Sequence, residues 1–90
     1  QAWSEIDAVI GVRDPLCRGV VMLGLDAPEA ELARAFALAK GAARVRGFAV
    51  GRTLFSGPAR DWLAGRIDDA RATALMTDNF ARLVRAWKTR

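Results

Sequence analysis

The 90-residue chain is basic, with a formal net charge of +4, and 52% of its residues are apolar while 27% are charged. This balance is typical of a folded globular protein and argues against intrinsic disorder. The chain has no histidine and a single cysteine. It therefore lacks the ligands of an ordinary zinc site, the second thiol of an intramolecular disulfide and the base of a histidine-dependent triad, and we expect no metal and no cofactor.

The positive charges are dispersed along the chain rather than gathered in a run. Arg60 is followed by Asp61, and the basic residues near the C-terminus fall at the end of a predicted helix, where cations favour the macrodipole. This distribution argues against nucleic acid as a partner. No apolar stretch approaches the roughly 18 residues that cross a bilayer, so we expect no membrane partner and a cytoplasmic setting.

The first predicted elements are a helix and a strand. Ser4, followed by Asp7, is predicted to cap a first helix, and Asp14-Pro15 should end that helix, because the residue before a proline avoids the helical region. Residues 19–23 read Gly-Val-Val-Met-Leu, an apolar run without alternation. Such a run is typical of a strand that is buried on both faces in a parallel sheet.

A second helix and a second strand follow. Asp26 stands three residues before Glu29, which predicts a reciprocal cap at the start of the helix, and Gly41 predicts its end. The apolar run Gly-Phe-Ala-Val at residues 47–50 predicts the next strand. Two buried strands separated by a capped helix indicate a βαβ unit, whose strands are parallel.

Two helices complete the chain. Ser56-Gly57-Pro58 predicts the start of a short helix that Gly65 interrupts, and Asp68 or Asp69 should open the longest one. Residues at steps of three and four predict a stripe on the long helix that faces the core. The stripe consists of Thr73, Met76, Phe80, Leu83, Val84 and Trp87.

Two parallel strands alone do not make a stable sheet in water. We therefore interpret residues 1–90 as one unit, a C-terminal fragment of a larger α/β domain, or as a chain that assembles into a homo-oligomer. The element order fits the last two strands of a (β/α)₈ barrel and their helices, with an extra short helix after the final strand. A doubly wound sheet fits the alternation as well, but the residues after the second strand favour the barrel.

Those residues are Gly51 and Arg52, which stand where a buried strand turns towards a helix. Phosphate commonly binds at the ends of the last two barrel strands, where backbone N–H groups and a helix N-terminus converge. Glycine lets the backbone approach an anion, and arginine adds a bidentate clamp. The alternative is an ordinary tight turn in which Arg52 is solvated or pairs with Asp26, and spacing alone does not separate the two.

Two segments carry a resemblance to a known family. Arg-Gly-Val-Val-Met-Leu-Gly-Leu-Asp-Ala-Pro at 18–28 and Val-Arg-Gly-Phe-Ala-Val-Gly-Arg-Thr-Leu-Phe at 45–55 resemble the aldolase-like domain fused to 5-dehydro-2-deoxygluconokinase in bacterial myo-inositol catabolism. The stretch Gly-Phe-Ala-Val-Gly-Arg is also similar to the last strand of tagatose-bisphosphate aldolases, which are class I enzymes. The resemblance implies that Gly24, Gly51 and Arg52 hold the phosphate of a sugar substrate.

The implied function is that of a phosphate-binding segment in a class I aldolase-like domain that acts on 2-deoxy-5-keto-gluconate 6-phosphate. Such an enzyme needs a lysine that forms a Schiff base, but Lys40 and Lys88 both fall on predicted helices. We therefore expect no catalytic residue in this chain, no activity without the remainder of the parent barrel, and a phosphorylated sugar as ligand. The alternatives are a noncatalytic or regulatory domain of the carbohydrate kinase and, third, a small basic binding module.

Overall fold

A computed structural model of the protein describes residues 2–90 and shows an α/β chain. Within that range the helices are α1 (Ala2–Arg13), α2 (Glu29–Leu38), α3 (Arg52–Leu63) and α4 (Asp69–Lys88), and the strands are β1 (Val20–Leu23) and β2 (Val45–Ala49). The molecule is elongated, measuring 52 × 23 × 16 Å. None of the helices in the described range combines the length and the apolar character that crossing a membrane requires.

The predicted βαβ unit is confirmed, but the predicted barrel portion is wrong. β1 and β2 pair with each other in parallel, and no third strand joins them within residues 2–90. Only one face of this sheet is covered, since the side chains of Val21 and Leu23 on the other face are 55% and 62% exposed. The unbroken apolar runs therefore do not mark strands buried on both faces. The observed architecture is a two-stranded parallel sheet with helices packed on one side.

The core lies between the covered face of the sheet, α2 and α4. Phe36 of α2 and Leu83 of α4 are fully buried. The Phe36 ring lies 4.9 Å from that of Phe48 on β2 and 5.3 Å from that of Trp87 on α4, in an edge-on contact. Rings at these separations stabilise a fold beyond the area that they bury. The predicted stripe on α4 is thus partly correct, because Leu83 and Trp87 face the core but Thr73 is exposed.

Some of the helix ends predicted from local sequence are confirmed by the structure, and others are wrong. α1 ends at Arg13, directly before Asp14-Pro15 as predicted, and the Asp68 carboxylate accepts a hydrogen bond of 2.8 Å from the Arg71 N–H at the start of α4. The reciprocal cap between Asp26 and Glu29 is absent. Pro28 occupies the N-cap of α2, and no side chain caps the helix.

Glu29 instead binds Arg82 of α4, with 2.9 Å between Oε1 and Nε. The hydrogen bond and the charge of Glu29 raise the pKa of the Arg82 guanidinium above its ordinary value. A raised pKa means that the stabilisation from this group is fully present below the unfolded-state pKa of arginine and is lost only as the pH rises through the folded-state value. Because Arg82 is protonated in both the folded and the unfolded protein near neutral pH, its titration does not make the free energy of unfolding depend on pH there.

The start of α3 differs from the prediction. The helix begins at Arg52 rather than at Ser56, and Pro58 lies inside it. Proline has no N–H, so the carbonyl of Leu54, four residues earlier, has no helical donor. The side-chain amide of Asn79 on α4 donates to that carbonyl at 2.7 Å. A neighbouring helix thus supplies the hydrogen bond that Pro58 removes, and α3 continues through the proline.

Candidate anion-binding site

A cleft of about 260 Å³ lies at the carboxyl ends of the two strands. Because β1 and β2 are parallel and Leu23 pairs with Ala49, the segments that follow them leave the sheet side by side. Ligands of open parallel sheets bind at this edge. The cleft is lined by Leu23, Gly24, Leu25, Asp26, Ala49, Gly51, Arg52 and Phe55. The three residues singled out in the sequence, Gly24, Gly51 and Arg52, therefore meet at one surface.

The N-terminus of α3 forms one wall of this cleft. Gly51 is its N-cap residue and no side chain caps the helix. The carbonyl of Gly51 accepts the N–H groups of Leu54 and Phe55 at 2.8 and 3.1 Å, so the regular helical ladder begins there. The N–H groups of Arg52 and Thr53, which precede Leu54, have no acceptor within the helix. An uncapped helix start of this kind carries a partial positive charge and free donors, which suit an anion.

Arg52 adds a full charge beside those donors. Its side chain is exposed, and within residues 2–90 it takes part in no ion pair and no side-chain hydrogen bond. Arg44, Arg66 and Arg82 are different, since each is paired with a carboxylate. The guanidinium of Arg52 is therefore available for a bidentate contact with an incoming oxyanion.

A side chain at Gly51 would crowd the ring of Phe55. Its φ of −134° is not left-handed, so the backbone conformation alone does not require glycine. A Cβ atom at this position would lie 3.2 Å from Cε2 of Phe55. A larger residue would therefore push the Phe55 ring, which itself lines the cleft.

Gly24 lines the same cleft but offers no free donor. Its N–H donates to the carbonyl of Ala49 at 3.2 Å, and the residue is buried. A Cβ atom here would stand 2.6 Å from Cγ1 of Val50. The strand end at Gly24 thus sets how closely the β1 and β2 segments approach, and it shapes the cleft rather than donating to a ligand.

The turn after β1 supplies the opposite wall. Leu25 and Asp26 both have positive φ, 50° and 66°, and the N–H of Ala27 donates to the carbonyl of Gly24 at 3.0 Å. This left-handed turn explains why Asp26 does not cap α2, and Asp26 is one of the residues that line the cleft. No ion pair joins Asp26 to Arg52 in the described part of the chain. The sequence predicts Asp26 either as a cap of α2 or as an ion-pair partner of Arg52, and neither contact is observed within residues 2–90.

The two walls are joined by Thr53, a residue to which the sequence assigns no role. The hydroxyl of Thr53, in the first turn of α3, donates to the carbonyl of Ala27 at 2.7 Å. The two residues are 26 positions apart, so no local pattern links them. The nearest sequence signal is the position of Thr53 directly after Gly51-Arg52.

The lysines lie away from the cleft. Lys40 follows the end of α2, and Lys88 is the last residue of α4. Neither contributes to the cleft lining. Within residues 2–90 there is also no group of three or more His, Cys, Asp or Glu side chains placed to hold a metal ion. The residues that line the cleft thus offer backbone donors and a positive charge to an anion, and they include no lysine.

A second cavity, of about 230 Å³, lies where α1 meets the end of α2. Its carboxylate, Asp7, is already engaged, since Arg44 Nη1 lies 3.1 Å from Asp7 Oδ2 and the Arg44 N–H donates to Oδ1 at 3.3 Å. These contacts attach α1 to the loop before β2. We therefore interpret this cavity as a gap beside a structural contact.

The chain was also compared with known proteins. Residues 1–90 match the family described as "Uncharacterized protein conserved in bacteria (DUF2090)". The chain belongs to this family. Neither the curated proteins nor the solved structures contain a significant match to it.

Proposed function

We propose that the cleft binds the phosphate group of a phosphorylated sugar. The observation that carries this proposal is the meeting of an uncapped helix start with the unpaired Arg52 at the carboxyl edge of a parallel sheet. Backbone N–H groups and a guanidinium together match the three oxygens of a terminal phosphate. Asp26, on the opposite wall, is an acceptor for hydroxyl groups on the rest of the ligand.

The biological setting that we propose follows from the resemblance of residues 18–28 and 45–55. In this setting the chain is the phosphate-binding segment of a class I aldolase-like domain, and the ligand is 2-deoxy-5-keto-gluconate 6-phosphate. The cleavage itself requires a Schiff-base lysine. Since Lys40 and Lys88 lie outside the cleft lining, the role of this chain is to bind and not to cleave. A borohydride-trapped adduct on either lysine would contradict that role.

A second candidate is a regulatory phosphate site in a 5-dehydro-2-deoxygluconokinase protein, a role that requires anion binding but no Schiff-base lysine. Both candidates use the same cleft and the same ligand class. They differ in whether binding changes kinase turnover, so kinase assays of a kinase-containing protein with and without occupancy of the cleft separate them. Loss of the effect in an Arg52→Ala variant would favour the regulatory candidate.

Calorimetric titration with a phosphorylated sugar tests the binding proposal. Arg52→Ala should weaken binding by about 1.5–3 kcal/mol, the range for a hydrogen bond to a charged group. Arg60→Ala is the matched control, because Arg60 is an exposed residue of the same helix that does not line the cleft and its loss changes the net charge equally. Arg60→Ala should leave the affinity unchanged. Equal affinities of the wild type and Arg52→Ala for the phosphorylated sugar would contradict the proposed phosphate site.

A further inference from the structure

The cleft is bounded by a closed ring of backbone. One segment runs from Gly24 to Ala27 after β1, and the other runs from Ala49 to Thr53 after β2. At one end the N–H of Gly24 donates to the carbonyl of Ala49 at 3.2 Å. At the other end the hydroxyl of Thr53 donates to the carbonyl of Ala27 at 2.7 Å. The first contact continues the sheet, whereas the second depends on a single side chain.

The direction of the Thr53 hydroxyl is unusual in this protein. The hydroxyls of Thr73, Thr77 and Thr89 each donate to the carbonyl four residues earlier in the chain, at 2.8–2.9 Å. Hydroxyls within a helix commonly bond in this way. Thr53 stands in the first helical turn, where the residue four positions earlier belongs to β2. Its hydroxyl instead reaches across to the turn after β1.

We propose that Thr53 is a positioning residue for the anion site, an inference that rests on the proposed function of the cleft. Its hydrogen bond holds the first turn of α3, with the N–H groups beside Arg52, at a fixed separation from the left-handed turn that carries Asp26. Donors held in place bind an anion without first being ordered, so the bond raises affinity without touching the ligand. Both Thr53 and Ala27 are half-buried, which limits competition from water.

Titration of the purified protein with inorganic phosphate tests this role through three variants. Thr53→Val removes the hydroxyl and keeps the shape, and it should weaken binding about threefold to tenfold, as expected for one hydrogen bond. Thr53→Ser keeps the hydroxyl and should bind within about twofold of the wild type. Thr77→Val removes an equivalent hydroxyl–carbonyl bond from the exposed face of α4, and it should leave the affinity unchanged.

The outcomes are distinguishable. If the wild type binds and Thr53→Val binds equally well, the positioning role is overturned while the anion site stands. If the wild type does not bind phosphate or a phosphorylated sugar, the proposed function fails and takes this inference with it. Far-UV circular dichroism checks that each variant is folded, and Thr53→Ala replaces Thr53→Val if the valine variant is not. Weakening in either variant with recovery in Thr53→Ser supports the role.

Discussion

Leu25 is held in a conformation that leucine rarely adopts. Its φ is 50°, and it is followed by a second left-handed residue, Asp26. The left-handed region costs an L-residue about 1–2 kcal/mol, whereas asparagine tolerates it. The Leu25 side chain is 77% exposed, so little packing offsets that cost. The turn keeps this shape because the Ala27 N–H bonds the Gly24 carbonyl.

We expect Leu25→Asn to raise the free energy of unfolding by about 1 kcal/mol, measured by urea denaturation. Leu63→Asn is the control, since Leu63 is also 77% exposed but ends the helix α3. It should not stabilise the protein, because asparagine has the lower helix propensity. An equal gain in both variants would show that the loss of exposed apolar surface, and not the backbone conformation, is responsible.

At the scale of elements, α3 depends on α4 at the turn that contains Pro58. Asn79→Ala should lower the free energy of unfolding by roughly 1–2 kcal/mol, because it leaves the carbonyl of Leu54 without a donor. Pro58→Ala restores a helical N–H to the same carbonyl. The effect of Asn79→Ala should therefore be smaller in the Pro58→Ala background.

A double-mutant cycle by urea denaturation measures this coupling. The cycle subtracts the cost of truncating the buried Pro58 ring and of losing the Asn79 contact with Arg82. If the effects of the two substitutions simply add, Asn79 does not compensate for the proline.

The hydrogen bond between Asn79 and Leu54 illustrates why some helix ends could be predicted from the sequence and others could not. The end of α1 at Asp14-Pro15 and the Asp68 cap are local signals, and they hold. Ser56-Gly57-Pro58 predicts the start of α3 four residues too late, because the residue that lets Pro58 lie inside the helix is Asn79, far along the chain. Likewise Gly51 and Arg52 stood out by their position after a strand, but the Thr53–Ala27 bond crosses 26 residues and has no local signature.

At the scale of the whole molecule, the main exposed apolar surface is the bare face of the sheet, which carries Val21 and Leu23. The apolar content of β1 and β2 indicated strands correctly, but composition cannot show whether both faces are covered. The structure covers one face with α2 and α4 and leaves Val21 and Leu23 exposed. Both edges of a two-stranded sheet are also unpaired within residues 2–90. Exposed apolar faces and free edges favour association.

We expect the chain to elute from size-exclusion chromatography with a concentration-dependent apparent mass above that of a monomer. Val21→Thr keeps the β-branched shape but makes the bare face more polar, so it should shift elution towards the monomer. Val12→Thr, at an exposed position of α1 outside the sheet, is the control and should not. A wild type that elutes as a compact monomer at all concentrations and melts sharply would contradict this expectation.

The ring around the cleft also links occupancy to folding. Its two closing hydrogen bonds join segments that are 25 and 26 residues apart, so the unfolded chain has no cleft to offer. A ligand that binds only the folded form stabilises it by mass action, by about 2.7 kcal/mol at a free concentration 100 times the dissociation constant. If the cleft binds an anion as proposed, adding that anion should raise the folded fraction of the chain and slow its proteolysis.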